Sequence, residues 1–509
     1  MSAAGPRAAA TAVHDLVVAG FGPSGIALAA AVEDHEDAAA AAGEPAAPLR
    51  ARYLERAADS AWQPNLVLPG TDIQHHFLRD LATPRDPRSR FTFPNYLGQS
   101  GRFYPFTLMG GYVSRLEWSD YVQWAARQVR GPVEYRREVV AVEPVADADG
   151  RVRTVDVVSR DSRDGSAHRH RTRTVVLATG HVPYVPAEFE PHLGERVFHA
   201  SQLLPRLAAF EERPPRRAVV VGAGQTAGEI VLHLSGRYPE AEIHSVVRHA
   251  GFRMYELGHF SNEVYFPEAT DYFYGLSGPE RAHALDQSRA TNYAAVDPDV
   301  SSALYQAAYA ERLTGRARLR LHRRTEAAVS GDPAGDTVPL LLREVFTGAE
   351  QRVDADLVVL CTGYREPALP AALEPMRPHL LLDEAGRPSV TRAFRAETTG
   401  DCEAGIYLDG LTEWRHGIGS ATSFSQMADR ADTVHRDLRA RLGAAAPPPP
   451  PQSEPPTAPI GNPRHARVRL RRLHGLRGRL QRQQPAHLPL ARGRRRARLG
   501  RGLGGRGPR

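Results

Sequence analysis

Two glycine-rich loops carry the first chemistry that the sequence suggests. Gly20, Gly22 and Gly25 follow the apolar run Leu16–Ala19, and an alanine-rich helix opens at Pro23. The continuous apolar run predicts a buried parallel strand. The first glycine permits a tight turn, the second lets the backbone approach a pyrophosphate, and the third lets the helix pack closely on the strand. The helix N-terminus would face the anion, so this stretch predicts a dinucleotide site.

A second loop repeats the pattern in AVVVGAGQTAGE, residues 218–229. Gly222 and Gly224 follow another apolar strand, Gln225 and Thr226 open the next helix, and Ala227 occupies the position of the third small residue. One such loop is weak evidence, because glycine-rich chains contain the spacing by chance. Two loops, each placed between a strand and a helix, predict two bound dinucleotides.

The residue that ends the second strand of each unit indicates which dinucleotide binds there. Glu55 would accept a hydrogen bond from a ribose 2′-hydroxyl, whereas Arg248 would pair with a 2′-phosphate. The second site is therefore expected to take NADPH in preference to NADH, and the first to take FAD. Both residues have plainer alternatives: a solvated strand-end carboxylate, and an ordinary surface arginine in a chain whose 65 basic residues are all Arg.

The order of apolar strands and helices predicts an α/β fold with two Rossmann-like dinucleotide-binding domains and a small inserted substrate-binding region. After Ser114, the pattern predicts a helix with Leu116 and Tyr121 near its buried face and a capping box between Ser114 and Glu117. The expected boundaries are 12–186 for the first part of the FAD-binding domain, 187–362 for the NADPH-binding domain with the insertion at about 253–310, 363–443 for the second part of the FAD-binding domain, and 444–509 for a disordered Pro/Arg-rich tail.

Composition excludes several classes of protein. The net charge of +7 belongs to the tail, because residues 464–509 hold sixteen Arg and no acid, which leaves 7 − 16 = −9 for the rest. Cys361 and Cys402 are too few for a disulfide framework or a cysteine-rich metal site, and no metal is expected. There is neither a long apolar run nor a signal peptide, so no membrane span and a cytoplasmic location are expected. Nucleic-acid binding by the tail is the weaker interpretation, since aromatic residues are not interleaved there.

Several longer segments identify a family. They are LVLPGTDIQHHFLRDLATPRDPRSRFTFPNYL (66–97), RLEWSDYVQWAA (115–126), FSNEVYFPE (260–268), RATNYAAV (289–296) and RHGIGSATSFS (415–425), together with the ATG and CTGY turns at 178–180 and 361–364. Over residues 12–440 the chain resembles the class B flavin monooxygenases that N-hydroxylate ornithine or lysine during siderophore assembly. The resemblance implies FAD, NADPH, O2 and a small amine as reaction partners, oxygen transfer through a C4a-hydroperoxyflavin, and a homotetramer.

The resemblance also implies roles for individual residues. Gln74 would lie near the flavin ring as a catalytic residue, with Trp62 and Thr422 also on the cofactor. Asn262 and Asn292 would hydrogen-bond the substrate and nicotinamide side of the site, with Asn292 as a second catalytic residue, since amides donate and accept without titrating. The substrate carboxylate would meet Ser425, although GIGSATS is one residue longer than the family pattern.

Arg79 is the clearest departure from the family, whose FLKDL segment has a lysine that pairs with the substrate carboxylate. The lysine-free composition predicts Arg at this position for an unchanged substrate, because Arg binds a carboxylate bidentately. Alternatively, the planar guanidinium reshapes the pocket for another amine. Both accounts remain open.

The preferred function is N-hydroxylation of L-ornithine, then of L-lysine, with a diamine or another amino acid such as aspartate as alternatives. A Baeyer–Villiger oxygenase is disfavoured because VFHASQLL (197–204) lacks the Gly and Trp of the FxGxxxHxxxW signature. The alternative from another class is a non-catalytic dinucleotide-binding protein with its basic tail as a nucleic-acid tether.

Overall fold

The computed structural model describes residues 12–44, 47–331, 336–420 and 423–443. The predictions for Thr422 and for the 444–509 tail lie outside these residues. The helices are α1 Pro23–Ala41, α2 Phe93–Gln99, α3 Phe103–Thr107, α4 Arg115–Gln128, α5 Leu203–Leu207, α6 Gln225–Arg237, α7 Pro267–Gly275, α8 Gly278–Ser288, α9 Pro298–Thr314, α10 Glu413–His416 and α11 Met427–Arg441.

The strands form two five-stranded sheets and four smaller ones. They are β1 Leu16–Ala19, β2 Ala51–Glu55, β3 Val133–Tyr135, β4 Arg137–Ala146, β5 Val152–Asp161, β6 Ala167–Thr172, β7 Thr174–Leu177, β8 Val182–Pro183, β9 Val197–His199, β10 Arg217–Val221, β11 Glu242–Val247, β12 Arg253–Met254, β13 Ala295–Val296, β14 Leu319–Arg323, β15 Thr325–Val329, β16 Val338–Glu344, β17 Glu350–Ala355, β18 Leu357–Leu360, β19 Tyr364–Arg365 and β20 Gly405–Leu408.

The first large sheet contains β1, which leads into the first glycine loop, and β20, the last strand in the described part of the chain. Its order is β20-β7-β1-β2-β3, and every neighbouring pair is parallel. All four residues of β1 are buried, as the continuous apolar run predicts for a strand covered on both faces. Helices α1 and α11 pack together beside this sheet, so residues far apart in sequence build one unit.

The second large sheet has the order β14-β11-β10-β18-β9, again entirely parallel. The chain crosses between the units built on the two large sheets at β8 and again at β19, and these two strands pair antiparallel. Two three-stranded antiparallel sheets, β4-β5-β6 and β15-β16-β17, accompany the large sheets. The fold is therefore the expected α/β architecture with two Rossmann-like sheets.

Two local predictions are corrected. In α4 the buried face carries Trp118 and Tyr121, whereas Leu116 is 68% exposed. The capping box is half formed: Ser114 accepts from the Glu117 N–H, but the Glu117 carboxylate turns to Arg102 at 3.1 Å.

The predicted insertion at 253–310 is more helical than expected, since it contains α7, α8 and most of α9. Helix α9 packs against α6 where Gly228 lacks a side chain; a Cβ there would lie 2.8 Å from Val300 Cγ1. No helix within the described part of the chain has the length and apolar content that crossing a bilayer requires.

Candidate active site

The first glycine loop has the geometry of a phosphate cradle. Gly20 has φ +100°, and a Cβ on it would lie 2.4 Å from the Ala178 carbonyl oxygen. A Cβ on Gly25 would lie 2.2 Å from the Gly20 carbonyl oxygen, so both positions require glycine. Gly22 differs, because nothing lies within 4 Å of its Cβ position. The open space at Gly22, beside the α1 N-terminus with Pro23 at its start, fits a bound pyrophosphate.

Glu55 reaches this loop from the end of β2. Its carboxylate accepts hydrogen bonds from the Phe21 N–H at 2.7 Å and the Ala57 N–H at 2.8 Å. These bonds fix the side chain beside the loop and still leave acceptor positions on both oxygens. The geometry therefore suits the predicted ribose contact.

Arg430 and Asp409 belong to this region and were missed by the sequence reasoning. Arg430 Nη2 donates to Ser24 Oγ at 3.0 Å in the first turn of α1, and Arg430 Nε donates to Asp409 Oδ1. Both side chains are almost fully buried, and Asp409 Oδ2 has no hydrogen-bond partner within the described chain. A buried acceptor left open beside the cradle fits a ligand hydroxyl. The signal was present in GIYLDG, where an acid follows a buried parallel strand.

The second loop repeats the cradle. Gly222 has φ +144°, and a Cβ on it would lie 2.2 Å from the Cys361 carbonyl oxygen, whereas the space beside Gly224 is open. Ala227 is fully buried behind the loop, as expected for the small residue. Thr226 is half-buried in the first turn of α6. This loop also fits a dinucleotide.

Arg248 directly follows β11 and is exposed. It has no ion-pair partner among the residues that the structure describes. His249 and Arg253 lie close to it, and the charges of both arginines, after burial, lower the pKa of His249. An exposed arginine without a carboxylate partner suits the predicted 2′-phosphate contact.

Gln225 turns away from the loop. Its side chain is buried, its Nε2 donates to Glu229 Oε1 at 2.9 Å, and its Oε1 accepts from the Asp297 N–H at 2.8 Å. The part of Gln225 that remains for a coenzyme is its main-chain N–H at the helix N-terminus. The side chain instead joins α6 to the start of α9.

Arg79 and Ser425, separated by 346 positions, lie in contact. Arg79 Nη1 donates to Ser425 Oγ at 3.2 Å, and the guanidinium lies 5.7 Å from the centre of the Phe266 ring. Burial lowers the pKa of Arg79, and no carboxylate of the described chain pairs with it. A half-buried cation that lacks a counterion favours an incoming carboxylate.

Asp80 holds the loop that follows Arg79 in place. The fully buried Asp80 carboxylate accepts from the N–H groups of Ala82, Thr83 and Phe93, which fixes the loop that follows Arg79. These bonds offset the cost of burying the charge.

The aromatic wall centres on Phe424. The His75 ring stacks on Phe424 at 5.1 Å, and Trp62 meets it edge-on at 5.5 Å. Burial lowers the pKa of His75 to about 3, so this ring is neutral at physiological pH. The wall therefore supplies a water-poor surface that adds no charge to that of Arg79.

Gln74 lines an open cavity of about 480 Å³ together with Asp72, His75, Asp297 and others. Its Nε2 donates to Asp297 Oδ2 at 3.0 Å. The cavity lies where the first unit meets the start of α9. The structure thus places Gln74 at the junction of the two units.

The two predicted asparagines come from neighbouring turns. Tyr265 Oη donates to the Thr291 carbonyl oxygen at 2.9 Å, which ties the turn of Asn262 to the turn of Asn292. Asn262 Nδ2 is occupied by the carbonyl oxygens of Glu256 and Gly258, each at 3.1 Å. The Asn262 Oδ1 atom is then the side-chain group left for a ligand.

Tyr293, next to Asn292, donates to the Glu413 carboxylate. The Glu413 N–H in turn donates to Glu366 Oε1 at 3.3 Å, directly after the β19 crossover, and His181 Nε2 lies 4.0 Å from the same oxygen. Burial, with the negative charge of Glu413, raises the pKa of Glu366 to about 8. Glu366 is consequently protonated at neutral pH.

Known proteins match most of this chain. The family model for L-lysine 6-monooxygenase/L-ornithine 5-monooxygenase matches residues 12–366. An L-ornithine N(5)-monooxygenase from Burkholderia cepacia is 33% identical over 83% of this chain and 94% of its own length. The same enzyme from Pseudomonas aeruginosa is 32% identical over 86% of this chain and 96% of its own length.

Solved structures extend the comparison. Ornithine hydroxylase from Pseudomonas aeruginosa superposes with a TM-score of 0.78 at 31% identity and covers 85% of this chain and 100% of its own. L-lysine 6-monooxygenase from Pseudomonas syringae has a TM-score of 0.75 at 41% identity, over 84% of this chain and 100% of its own. The chain therefore belongs to the L-lysine 6-monooxygenase/L-ornithine 5-monooxygenase family of flavin-dependent, NADPH-dependent N-monooxygenases.

Proposed function

We propose that this enzyme hydroxylates the terminal amine of a small amino acid, L-ornithine in preference to L-lysine, for the assembly of a siderophore or another hydroxamate. The observation that carries the substrate class is the Arg79–Ser425 pair, which offers a cation and a hydroxyl to one carboxylate. The relatives from Burkholderia cepacia and Pseudomonas aeruginosa are named L-ornithine N(5)-monooxygenases, which supports that choice. A non-catalytic nucleotide-binding role is not favoured, because the family consists of enzymes.

FAD is assigned to the first loop and NADPH to the second. Gly20, Gly22, Pro23, Gly25 and Glu55 would hold the FAD pyrophosphate and ribose, with Asp409 accepting from a further hydroxyl. Gly222, Gly224 and Arg248 would hold NADPH. Bound flavin, once reduced, supplies the activation of O2 that side chains cannot provide. The sheet memberships support the domain boundaries expected from the sequence, with β20 completing the first domain.

The chain's own residues would orient the amine and keep it reactive. Arg79 and Ser425 bind the carboxylate end, so the amine end extends toward Gln74 and the turns of Asn262 and Asn292. Only an unprotonated amine has the lone pair that oxygen transfer requires. The dry wall around Phe424 lowers the pKa of an amine by desolvation, and the neutral His75 ring leaves the wall uncharged.

The test is NADPH oxidation and hydroxylamine formation with purified FAD-loaded enzyme and a panel of ornithine, lysine, putrescine, cadaverine and aspartate. Ornithine should give the highest kcat/KM. Arg79→Ala should raise KM for the amino acids by about 10- to 100-fold, the range for one charge-assisted hydrogen bond, and leave the diamines nearly unchanged.

Arg79→Lys should restore most of the affinity, whereas Arg88→Ala, an exposed arginine of the same segment, should have no effect. Equal changes for amino acids and diamines would remove Arg79 from carboxylate binding. Absence of hydroxylamine with all five amines would refute the proposed function.

A homotetramer is also proposed. Large apolar side chains are exposed around α3, with Tyr104 at 85% and Leu108 at 88%, and such a patch favours burial against another copy. The free cysteines Cys361 and Cys402 accord with the proposed cytoplasmic location. Light scattering after size exclusion tests the assembly, and a monomer at micromolar concentration would refute it.

A further inference from the structure

A ring of hydrogen bonds, closed by the main chain of residues 72–74, joins the second glycine loop to the segment that carries Gln74. Gln225 is the first residue of α6, and its side chain divides the ring into two arms. Its Oε1 accepts from the Asp297 N–H at 2.8 Å, and its Nε2 donates to Glu229 Oε1 at 2.9 Å. The bond to Glu229 is buried and the bond from Asp297 is partly buried, and leaving either unmade would be costly.

The first arm runs through Asp297. This residue precedes α9, and its Oδ2 accepts from Gln74 Nε2 at 3.0 Å. Because a carboxylate only accepts, the Gln74 amide must present its nitrogen to Asp297 and its oxygen elsewhere. The arm therefore favours one orientation of the exposed Gln74 amide.

The second arm runs through a buried ion pair. Arg115 binds Glu229 bidentately at 2.7 and 2.8 Å, and the two side chains are 6% and 3% exposed. Arg115 Nε donates to the Asp72 carbonyl oxygen at 3.4 Å, and the Arg115 N–H donates to the Thr71 carbonyl oxygen at 2.9 Å. This arm holds the main chain of residues 71–72, two positions before Gln74.

We propose that Asp297 is a positioning residue through which coenzyme binding at the second loop sets the Gln74 amide. The proposal rests on the proposed function in taking NADPH as the ligand of that loop. Gln225 lies at the α6 N-terminus, which would face the coenzyme phosphates. A coenzyme that restrains this turn would therefore restrain both arms through the Gln225 side chain. Gln74 would then be held in place when the coenzyme is bound.

Hydrogen exchange with NADP⁺ tests the proposal on FAD-loaded enzyme without relying on turnover. In the wild type, NADP⁺ should slow exchange in residues 222–228 and also in residues 70–78. Asp297→Ala should keep the first effect and lose the second, with exchange in 70–78 roughly fivefold faster, the ratio that corresponds to one hydrogen bond. No side-chain cap is lost, since the Asp297 side chain does not cap α9.

Two variants separate the hydrogen bond from charge and from general damage. Asp297→Asn keeps an acceptor for Gln74 and should behave like the wild type. Asp299→Ala removes a carboxylate of the same cavity that has no hydrogen bond to a described side chain, and it should also behave like the wild type. Hydroxylamine formed per NADPH oxidised should fall for Asp297→Ala alone.

The outcomes distinguish this inference from the proposed function. Protection of 70–78 by NADP⁺ in Asp297→Ala, as in the wild type, would overturn the positioning role. If NADP⁺ protects neither segment in the wild type, the proposed coenzyme site is wrong. In that case, hydrogen exchange without NADP⁺ tests the role of Asp297. Residues 70–78 must exchange faster in Asp297→Ala than in Asp299→Ala, and equal rates would overturn the positioning role.

Discussion

Glu366 offers a test of the electrostatics behind the crossover between the two units. Its pKa rises from an ordinary 4.5 to about 8, first because the carboxyl is buried and then because Glu413 is close. A group with a raised pKa in the folded state stabilises the protein fully below its unfolded pKa, and this contribution is lost as pH rises through the folded pKa. Glu366 therefore makes the enzyme progressively less stable between about pH 4.5 and 8.

The size of the effect follows from the same values. The difference of 3.5 between the two pKa values, at about 1.36 kcal/mol per pH unit, sets a ceiling of about 5 kcal/mol. The Glu366 side chain is 13% exposed, and the effective permittivity of protein interiors is well above that of a dry medium. We therefore expect about 1 to 2 kcal/mol, or about 1 to 2 °C in Tm for a chain of 509 residues.

Glu366→Gln removes the titrating group and keeps the shape. Tm of the FAD-loaded enzyme is measured by calorimetry at pH 5.5, 7.0 and 8.5 for wild type, Glu366→Gln and the exposed control Glu350→Gln. The Tm advantage of Glu366→Gln should grow with pH and level off above about pH 8, while the control follows the wild type. A difference that is the same at all three pH values would refute the raised pKa.

Three further substitutions test the cofactor loops. Gly25→Ala should prevent folding or FAD retention, because its Cβ would lie 2.2 Å from the Gly20 carbonyl oxygen. Gly22→Ala should fold and lose FAD affinity, since its Cβ would occupy only the open cradle; full flavin content by absorbance would contradict this. Arg248→Ala should raise KM for NADPH by about tenfold and leave KM for NADH nearly unchanged, and equal changes for both coenzymes would exclude a 2′-phosphate contact.

Much of the fold and of the cofactor architecture could be predicted because the signals are local. Leu16–Ala19 and the glycines that follow it lie within a few residues of one another, and their spacing dictates a strand, a turn and a helix. The face of α4 was harder to predict, since Leu116 and Trp118 are both apolar. Packing decides between them: Trp118 contacts the aromatic cluster around Phe93, and Leu116 lies on the opposite side of the helix.

The substrate pocket could be predicted only residue by residue through family resemblance. Arg79 and Ser425 each matched a motif, but their contact at 3.2 Å depends on bringing the last part of the chain onto the first. Arg430 and Asp409 were missed for the same reason, because the acid that follows a buried strand in GIYLDG does not reveal its buried partner 21 positions later.

The sequence by itself determined two dinucleotide loops, their strand-end residues Glu55 and Arg248, and the family. Those features depend on backbone conformation over short stretches, which residue type controls directly. The tertiary structure alone decided that Gln225 turns inward and that Asp297 holds Gln74. Side-chain partners at such long separations are set by how α6, α9 and the 66–97 segment pack, and no local preference encodes that packing.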